Sequence, residues 1–235
     1  MDVVSEDAGH KPAADESIFV CGGPRAVDLA RKLRSPVLSV KPPVIILADD
    51  ADDLPAHLED VTIIEGDPTS ADVLKDAGIE SAGTAIVLSD LQDTGNADAL
   101  SLLVALAIED ICPEIFTIVE VTSTNNIPHF DRTAVNATVC RAELSQLLMA
   151  QSAISNHISD IYRELFDFQT EGNEIYRVPA RKKWDSFGGC FRTLINEHVI
   201  PIGLRRDGKN LINPGADTVL QPDDELWVIA VKKPF

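Results

Sequence analysis

The sequence predicts an α/β fold in which a Rossmann-like, doubly wound parallel sheet precedes a helical crossover and a small α+β lobe. Short apolar runs alternate with helical patterns over the first 140 residues, which is typical of parallel strands covered on both faces. The spacing from 142 to about 168 is helical without a strand, and short strands dominate after Gly172. We therefore predict four parts: a flexible lead-in 1–16, an α/β lobe 17–141, a helical crossover 142–171 and a C-terminal lobe 172–235.

The α/β lobe is predicted to contain six strands and two long helices. Each strand is a short run of mostly branched or aromatic residues. The strands are predicted at 18–21, 44–47, 61–64, 85–88 and 115–121, with a sixth ending at Val139-Cys140. The helices are predicted at 25–33 and 97–111. The second helix is apolar nearly all round, so we expect it to contact both the sheet and a neighbour.

A shorter helix is predicted between the third and fourth strands. Thr69 or Ser70 can cap its start, and Gly78 can end it. Asp67 follows the third strand and Asp90 follows the fourth, and we expect these two strands to be neighbours in the sheet. Because ligands bind at the carboxyl edge of an open α/β sheet, both acids are candidate site residues.

The formal net charge of −18 lies mostly in the first part of the chain. Residues 1–140 hold 25 Asp and Glu against 8 Lys and Arg (25 − 8 = 17 net negative), whereas residues 141–235 hold 13 against 12. Such a surface repels nucleic acid, which is excluded as a partner. Solubility or life at high salt explains the excess acid, and divalent cation binding is the alternative. No apolar run reaches the ~18 residues that span a bilayer, so no direct membrane insertion is predicted.

The first predicted strand runs into a loop, Cys21 to Val27, where a dinucleotide-binding fold has three spaced glycines. Counted from Gly22, the second glycine position holds Pro24 and the third holds Val27. Pro24 lacks a backbone N–H for phosphate, and Val27 crowds the contact between helix and strand. Gly22 and Gly23 are therefore either cofactor-binding residues of a weakened loop or residues that only make a tight turn.

Two further acids are associated with predicted strands. Asp49 follows the second strand, where an acid would bind a ribose hydroxyl; a solvated acidic turn is the alternative. Glu120 lies inside an apolar strand, so its carboxylate needs a cation, an arginine, a backbone cluster or a ligand. Glu120 and Asp90 could meet across adjacent strand ends as a metal site for a hard cation. Alternatively, the head of Glu120 reaches the exposed end of its strand.

The sequence contains no catalytic constellation. Its five histidines lack metal-type spacing, and its four cysteines include no CxxC pair. We therefore predict that the chain is not an enzyme and that its thiols are reduced in a cytoplasmic setting.

The second half is predicted to form two helices and then a small mixed lobe. Ser155-Asn156 can break the helical run 142–168, whose apolar face has no local strand to cover and so suits another subunit or domain. In the C-terminal lobe, strands are predicted at 174–178, 199–204 and 226–231, with a helix at 186–195 and a hairpin turn at 206–209.

One block of sequence is specific enough to indicate a family. It contains Gly66-Asp67-Pro68-Thr69, Ala77-Gly78-Ile79 and Ala85-Ile86-Val87-Leu88, and continues through Asn96 and Ile118-Val119-Glu120-Val121. On these motifs the chain resembles the regulator of potassium conductance domains (RCK, also called KTN) of prokaryotic potassium channels and potassium uptake systems. The C-terminal lobe resembles the second lobe of that family, and the likeness covers nearly everything from Ile18 to Val231.

The resemblance implies a cytoplasmic ligand-sensing domain of a gating ring at the inner face of the membrane. Its partner would be a potassium channel pore or the membrane subunit of a transporter, and it would pair with itself through the helices after the sheet and form an octameric ring. The family cleft binds NAD(H), ATP or ADP, or the ring binds Ca²⁺. Positions matching the cleft are Gly22, Asp49, Asp67, Ser89, Asn96 and Glu120.

The chain departs from the family in three places, and two other functions remain open. The glycine loop is degenerate, and segment 35–43 is unusual between the first helix and the second strand. Thr122, two residues after Glu120, stands where one calcium-binding branch has a second acid. An NAD-dependent oxidoreductase is the first alternative, although no catalytic dyad is visible. A cytosolic nucleotide sensor unrelated to ion transport is the second.

Overall fold

The computed structural model describes residues 17–36, 38, 41–52, 54–55, 57–89, 96–167, 172–181 and 183–234. Asp90 and the predicted lead-in 1–16 lie outside the described residues. The rest of the chain divides into two compact units, one ending at Ile154 and the other starting at Ser155. Within the described ranges, no helix combines the length and the hydropathy needed to cross a membrane.

The first unit is built on a six-stranded parallel sheet. Its strands are β1 (Ser17–Cys21), β2 (Val44–Ala48), β3 (Val61–Glu65), β4 (Ala82–Val87), β5 (Phe116–Val121) and β6 (Ala137–Cys140). The order across the sheet is β3-β2-β1-β4-β5-β6, and every pair is parallel. The chain therefore builds outward from β1 on one side and then adds β4 to β6 on the other, which confirms the doubly wound sheet.

The strand order corrects one prediction from the sequence. The strands before Asp67 and Asp90 were expected to be neighbours, but β2 and β1 lie between β3 and β4. Strands that are adjacent in sequence separate here because the chain crosses from one edge back to the centre of the sheet after β3. Asp67 consequently lies at the outer edge of the sheet.

Helices cover both faces of the sheet. They are α1 (Pro24–Leu33), α2 (Ala71–Asp76), α3 (Ala97–Ile111) and the short α4 (Ile127–Phe130). Successive residues of β1 point to opposite faces, so Val20 packs with Ala26 of α1 whereas Phe19 belongs to the cluster of Val104 and Ile108 of α3. The central strands are thus buried on both sides, as their continuous apolar runs predict.

The predicted signals of α2 are confirmed. The Ser70 side chain accepts a hydrogen bond from the backbone N–H of Val73, although at 3.5 Å. Gly78 follows with a φ of +87°, a left-handed conformation that residues with a Cβ adopt at a cost.

Two helices follow the sheet, α5 (Arg141–Ile154) and α6 (Ile158–Phe166). The break between them, predicted at Ser155-Asn156, is confirmed, and His157 has a left-handed φ of +68° there. No residue of α5 or α6 is fully buried in the described chain.

After α6, the second unit contains a four-stranded antiparallel sheet and a further helix. Its elements are β7 (Glu174–Pro179), α7 (Phe187–Leu194), β8 (Ile200–Arg206), β9 (Lys209–Ile212) and β10 (Glu225–Ala230), and the sheet order is β7-β10-β8-β9. Asp207 and Gly208 both have positive φ in the predicted hairpin turn, as a two-residue turn of this kind requires. Trp184, Phe187 and Leu226 lie in the core of this lobe.

A buried ion pair holds the loop before β10. The Asp224 side chain is 1% exposed and accepts from Nε and Nη2 of Arg206, both at 2.7 Å. The backbone N–H of Gln221 also donates to this carboxylate, and Arg206 donates to the carbonyl of Val219. The hydrogen bonds from Arg206 hold the pKa of Asp224 below its usual value, although burial opposes them.

Candidate functional site

The sheet reverses its direction of growth between β1 and β4. In folds of this type, ligands bind at the switch point, in a crevice outside the carboxyl ends of the strands. We call the corresponding edge of this sheet, as far as the structure describes it, the switch-point crevice. The loop after β1 leads into α1 at Pro24, and Ser89 follows β4. Glu120, near the end of β5, lies one strand further along.

An ion pair with additional hydrogen bonds crosses this crevice. Arg25, in the first turn of α1, donates from Nη1 to Oε2 of Glu120 at 2.7 Å and from Nη2 to Oε1 at 2.5 Å. Ser89 donates to Oε2 from its backbone N–H at 3.0 Å and from its hydroxyl at 2.7 Å. The guanidinium of Arg25 therefore reaches across the end of β4. These hydrogen bonds connect the first turn of α1, the residues after β4 and the end of β5. We call Arg25, Ser89 and Glu120 the switch-point network.

The network keeps the Glu120 carboxylate ionised although its side chain is only 8% exposed. Burial alone raises the pKa of this carboxyl group, but the hydrogen bonds from Arg25 and Ser89 outweigh burial and lower the pKa to about 2. Arg141 adds positive charge, with its Nε 3.9 Å from Oε1. Of the partners that the sequence allowed for Glu120, the structure contains the arginine and a backbone N–H.

Two N–H groups of the glycine loop have partners within the fold. The N–H of Gly22 donates to the carbonyl of Leu47 at 3.1 Å, and the N–H of Ala26 donates to the carbonyl of Gly23 at 2.9 Å. Pro24 starts α1 and has no N–H. The guanidinium of Arg25, which follows this loop, is engaged with Glu120.

A second carboxylate anchors the loop after β5. Asp98, in the first turn of α3, accepts from the N–H of Thr122 at 2.7 Å, from the N–H of Ser123 at 3.3 Å and from the side-chain amide of Asn126 at 2.6 Å. Burial raises the pKa of Asp98, but the hydrogen bonds from Asn126, Thr122 and Ser123 together lower it. Asp98 thus fixes the backbone of the loop that follows β5.

The structure brings only some of the predicted site residues together. Ser89 and Glu120 are bonded, and Gly22 and Gly23 lie buried between β1 and α1. Asp49 follows β2 and is half-buried. Asp67 follows the edge strand β3. Its side chain accepts hydrogen bonds from the backbone N–H and the hydroxyl of Thr69, a residue of the same loop. Asn96 is exposed at the start of α3 and makes no side-chain cap.

Sequence reasoning missed Arg25 and Asp98 as members of this edge. The sequence did contain a signal for Asp98: it is an acidic residue at the predicted start of a long apolar helix, and the positive N-terminal end of a helix favours an acid there. Among the described residues, no group of three or more His, Cys, Asp or Glu side chains is arranged to hold a metal ion. The predicted metal pair of Asp90 and Glu120 stays a prediction, because Asp90 lies outside those residues.

The lowered pKa of Glu120 predicts a pH-dependent contribution to stability. A folded pKa of about 2 against an ordinary value of 4.5 gives stability that is fully present above pH 4.5 and is lost as the pH falls toward 2. We expect the difference in unfolding free energy between the wild type and Glu120→Gln to narrow over that range in denaturant titrations. A difference that stays constant from pH 6 to pH 3 would contradict the ionised network.

Two family models match the chain. The model described as the TrkA-N domain matches residues 18–141, and the model described as "Castor and Pollux, part of voltage-gated ion channel" matches residues 142–234. The first match covers the parallel sheet and every described residue of the crevice.

Curated relatives carry ion-channel names. The chain is 29% identical over 174 residues to "Probable ion channel POLLUX" of Arabidopsis thaliana, covering 70% of the chain and 20% of that protein. It is 26% identical over 142 residues to "Calcium-gated potassium channel TvoK" of Thermoplasma volcanium, covering 59% of the chain and 40% of that protein. The chain thus spans less than half the length of these relatives.

A solved structure shares the fold. The structure of the human SLO3 gating ring superimposes with a TM-score of 0.73 at 18% identity, covering 92% of this chain and 44% of that one. At this identity the likeness concerns the fold alone, and it agrees with a parallel α/β sheet followed by a small antiparallel lobe.

Proposed function

The chain belongs to the TrkA-N domain family, and on this premise we propose that it is a cytoplasmic regulatory domain that senses a ligand and controls a potassium channel or transporter. The resemblance to RCK domains drawn from the sequence is confirmed by that match. The observation that carries the proposal is that the matched residues 18–141 include Arg25, Ser89 and Glu120, the described switch-point network.

The ligand we propose is a nucleotide, NAD(H) or ATP and ADP, or a divalent cation such as Ca²⁺. The name of TvoK, a calcium-gated potassium channel, supports a cation, and the crevice at the switch point supports a nucleotide. Either ligand would have to open the switch-point network, because an anion competes with Glu120 for Arg25 and a cation competes with Arg25 for Glu120. Binding would therefore favour one conformation of the edge over another.

Self-association is the second part of the proposal. Large apolar side chains on α5 and α6 are exposed in the single chain, among them Leu147 at 60%, Ile154 at 82% and Phe166 at 62%. Exposed apolar faces of this extent mark an interaction site rather than a solvated surface. We propose that the helices in 142–171 pair with a second copy and that such dimers assemble into a ring beneath the membrane subunit.

One experiment tests both parts on the purified full chain. We expect calorimetric titration to detect binding of at least one of NADH, ADP, ATP and Ca²⁺, and light scattering of the same sample to detect a dimer or a larger assembly. Glu120→Gln should change the affinity. The matched variant Glu80→Gln should leave the affinity unchanged. Glu80 is exposed just before β4, at the amino ends of the strands and so at the far end of β4 from Ser89.

A stable monomer that binds none of the four ligands would overturn the proposal. The alternative of an NAD-dependent oxidoreductase has less support, because the relatives carry channel names and Pro24 removes one N–H from the glycine loop. Oxidation of NADH by the chain in the presence of any acceptor substrate would restore that alternative.

A further inference from the structure

Among the described residues, four hydrogen-bond donors converge on the carboxylate of Glu120. Both terminal nitrogens of Arg25, the backbone N–H of Ser89 and the hydroxyl of Ser89 lie 2.5–3.0 Å from its oxygens. Oε2 alone receives three of these bonds. A guanidinium, a backbone N–H and a hydroxyl are the donor set with which proteins bind phosphate and other oxyanions.

These donors are positioned by elements other than the strand that carries Glu120. The N–H of Leu88 donates to the carbonyl of Cys21 at 2.9 Å, which fixes the backbone immediately before Ser89. Arg25 is placed by the first turn of α1, which begins after the loop Gly22-Gly23. The donor set is therefore held in place by β1, β4 and α1, and the anion arrives from β5, the neighbouring strand.

We propose that Arg25 and Ser89 form an oxyanion site at the switch point and that Glu120 is its resident anion. The chain fills, with its own carboxylate, the position where a phosphoryl group of a ligand binds. The inference deepens the proposed ligand-sensing function and rests on it: a phosphorylated ligand binds only by displacing Glu120, so the network is an internal competitor that holds the crevice closed.

The surrounding charges favour this assignment over a cation at Glu120. A cation bound to that carboxylate would face the guanidinium of Arg25, and Arg141 lies 3.9 Å away. The nearby carboxylate of Asp98 already accepts from two backbone N–H groups and an amide. Two arginines repel a cation at Glu120, whereas they attract an anion that takes its place.

The test removes the resident anion and supplies another. In Glu120→Ala, we expect inorganic phosphate to raise the midpoint of thermal unfolding by about 4 °C at ten times its dissociation constant, measured against sodium chloride of equal ionic strength. The wild type should respond by less than about 1 °C under the same conditions, because Glu120 occupies the site. ADP should act like phosphate in the variant, and adenosine should not.

Two variants serve as controls. Glu80→Ala removes the same charge from an exposed position at the opposite edge of the sheet, so its response should equal that of the wild type. Arg25→Ala/Glu120→Ala lacks the main donor and should lose the response to phosphate. If Glu120→Ala does not fold, Glu120→Gln preserves the side-chain volume while removing the charge, and it should respond in the same direction.

The outcomes separate this inference from the proposed function. A phosphate response in Glu120→Ala or Glu120→Gln that stays below about 1 °C would overturn the oxyanion site. Wild-type protein that binds ADP as tightly as the variant would overturn the resident-anion role while leaving nucleotide sensing intact. A variant that gains phosphate binding, in a chain whose wild type binds no candidate ligand, would support the site and remove the sensing function.

Discussion

Replacement of Arg206 by alanine is expected to destabilise the C-terminal lobe by about 3 kcal/mol. The Asp224 carboxylate, which is 1% exposed beside Arg206, would lose the cation that donates two hydrogen bonds to it. The loss would also remove the donor to the carbonyl of Val219, so the loop between β9 and β10 should loosen. Denaturant titration by tryptophan fluorescence measures this lobe directly, because both tryptophans, Trp184 and Trp227, lie in it.

A second substitution distinguishes an uncompensated charge from a general loss of packing. Arg206→Ala/Asp224→Asn should be more stable than Arg206→Ala alone, because the buried charge is gone. Arg192→Ala removes the same charge from an exposed position on α7 and should change stability by less than about 0.5 kcal/mol. Equal losses in Arg206→Ala and Arg192→Ala would show that the ion pair does not hold this loop.

Local signals in the sequence were enough to predict most elements of the fold. The predicted helix 97–111 matches α3 at both ends. The start and end of α2 were predicted from Ser70 and Gly78, because helix caps depend on a few adjacent residues. The strand order was harder. The expected pairing of β3 with β4 was wrong, because pairing depends on how the chain crosses the sheet and leaves no local pattern.

The burial of Glu120 was predicted from the sequence, whereas its contacts were not. A glutamate in an apolar strand requires a partner, and this rule singled out Glu120 correctly as a buried charge. Its partner, Arg25, lies 95 residues earlier, and nothing in the sequence of one chain connects the two positions. The degenerate glycine loop agrees with the structure, in which Gly22 and Ala26 use their N–H groups within the fold.

Arg25→Ala is expected to destabilise the α/β lobe by about 2–3 kcal/mol, more than Glu120→Gln does. The two halves of the ion pair differ in exposure: the Arg25 side chain is 37% exposed, whereas that of Glu120 is 8% exposed. Among the described residues, removing the arginine leaves the carboxylate with Ser89 as its close donor, while removing the carboxylate leaves a guanidinium that water can reach. Denaturant titration followed by circular dichroism measures both variants.

The pKa of Glu120 supplies a second readout for Arg25→Ala. Without the guanidinium, burial should dominate, so the pKa of Glu120 should rise well above about 2 in a carboxyl-carbon NMR titration. Arg31→Ala is the matched control, because Arg31 lies on the same helix and its pair with Asp28 is exposed on both sides; it should cost less than about 0.5 kcal/mol. If Arg25→Ala is as stable as Arg31→Ala and the pKa of Glu120 does not move, the switch-point network holds neither the crevice nor its anion.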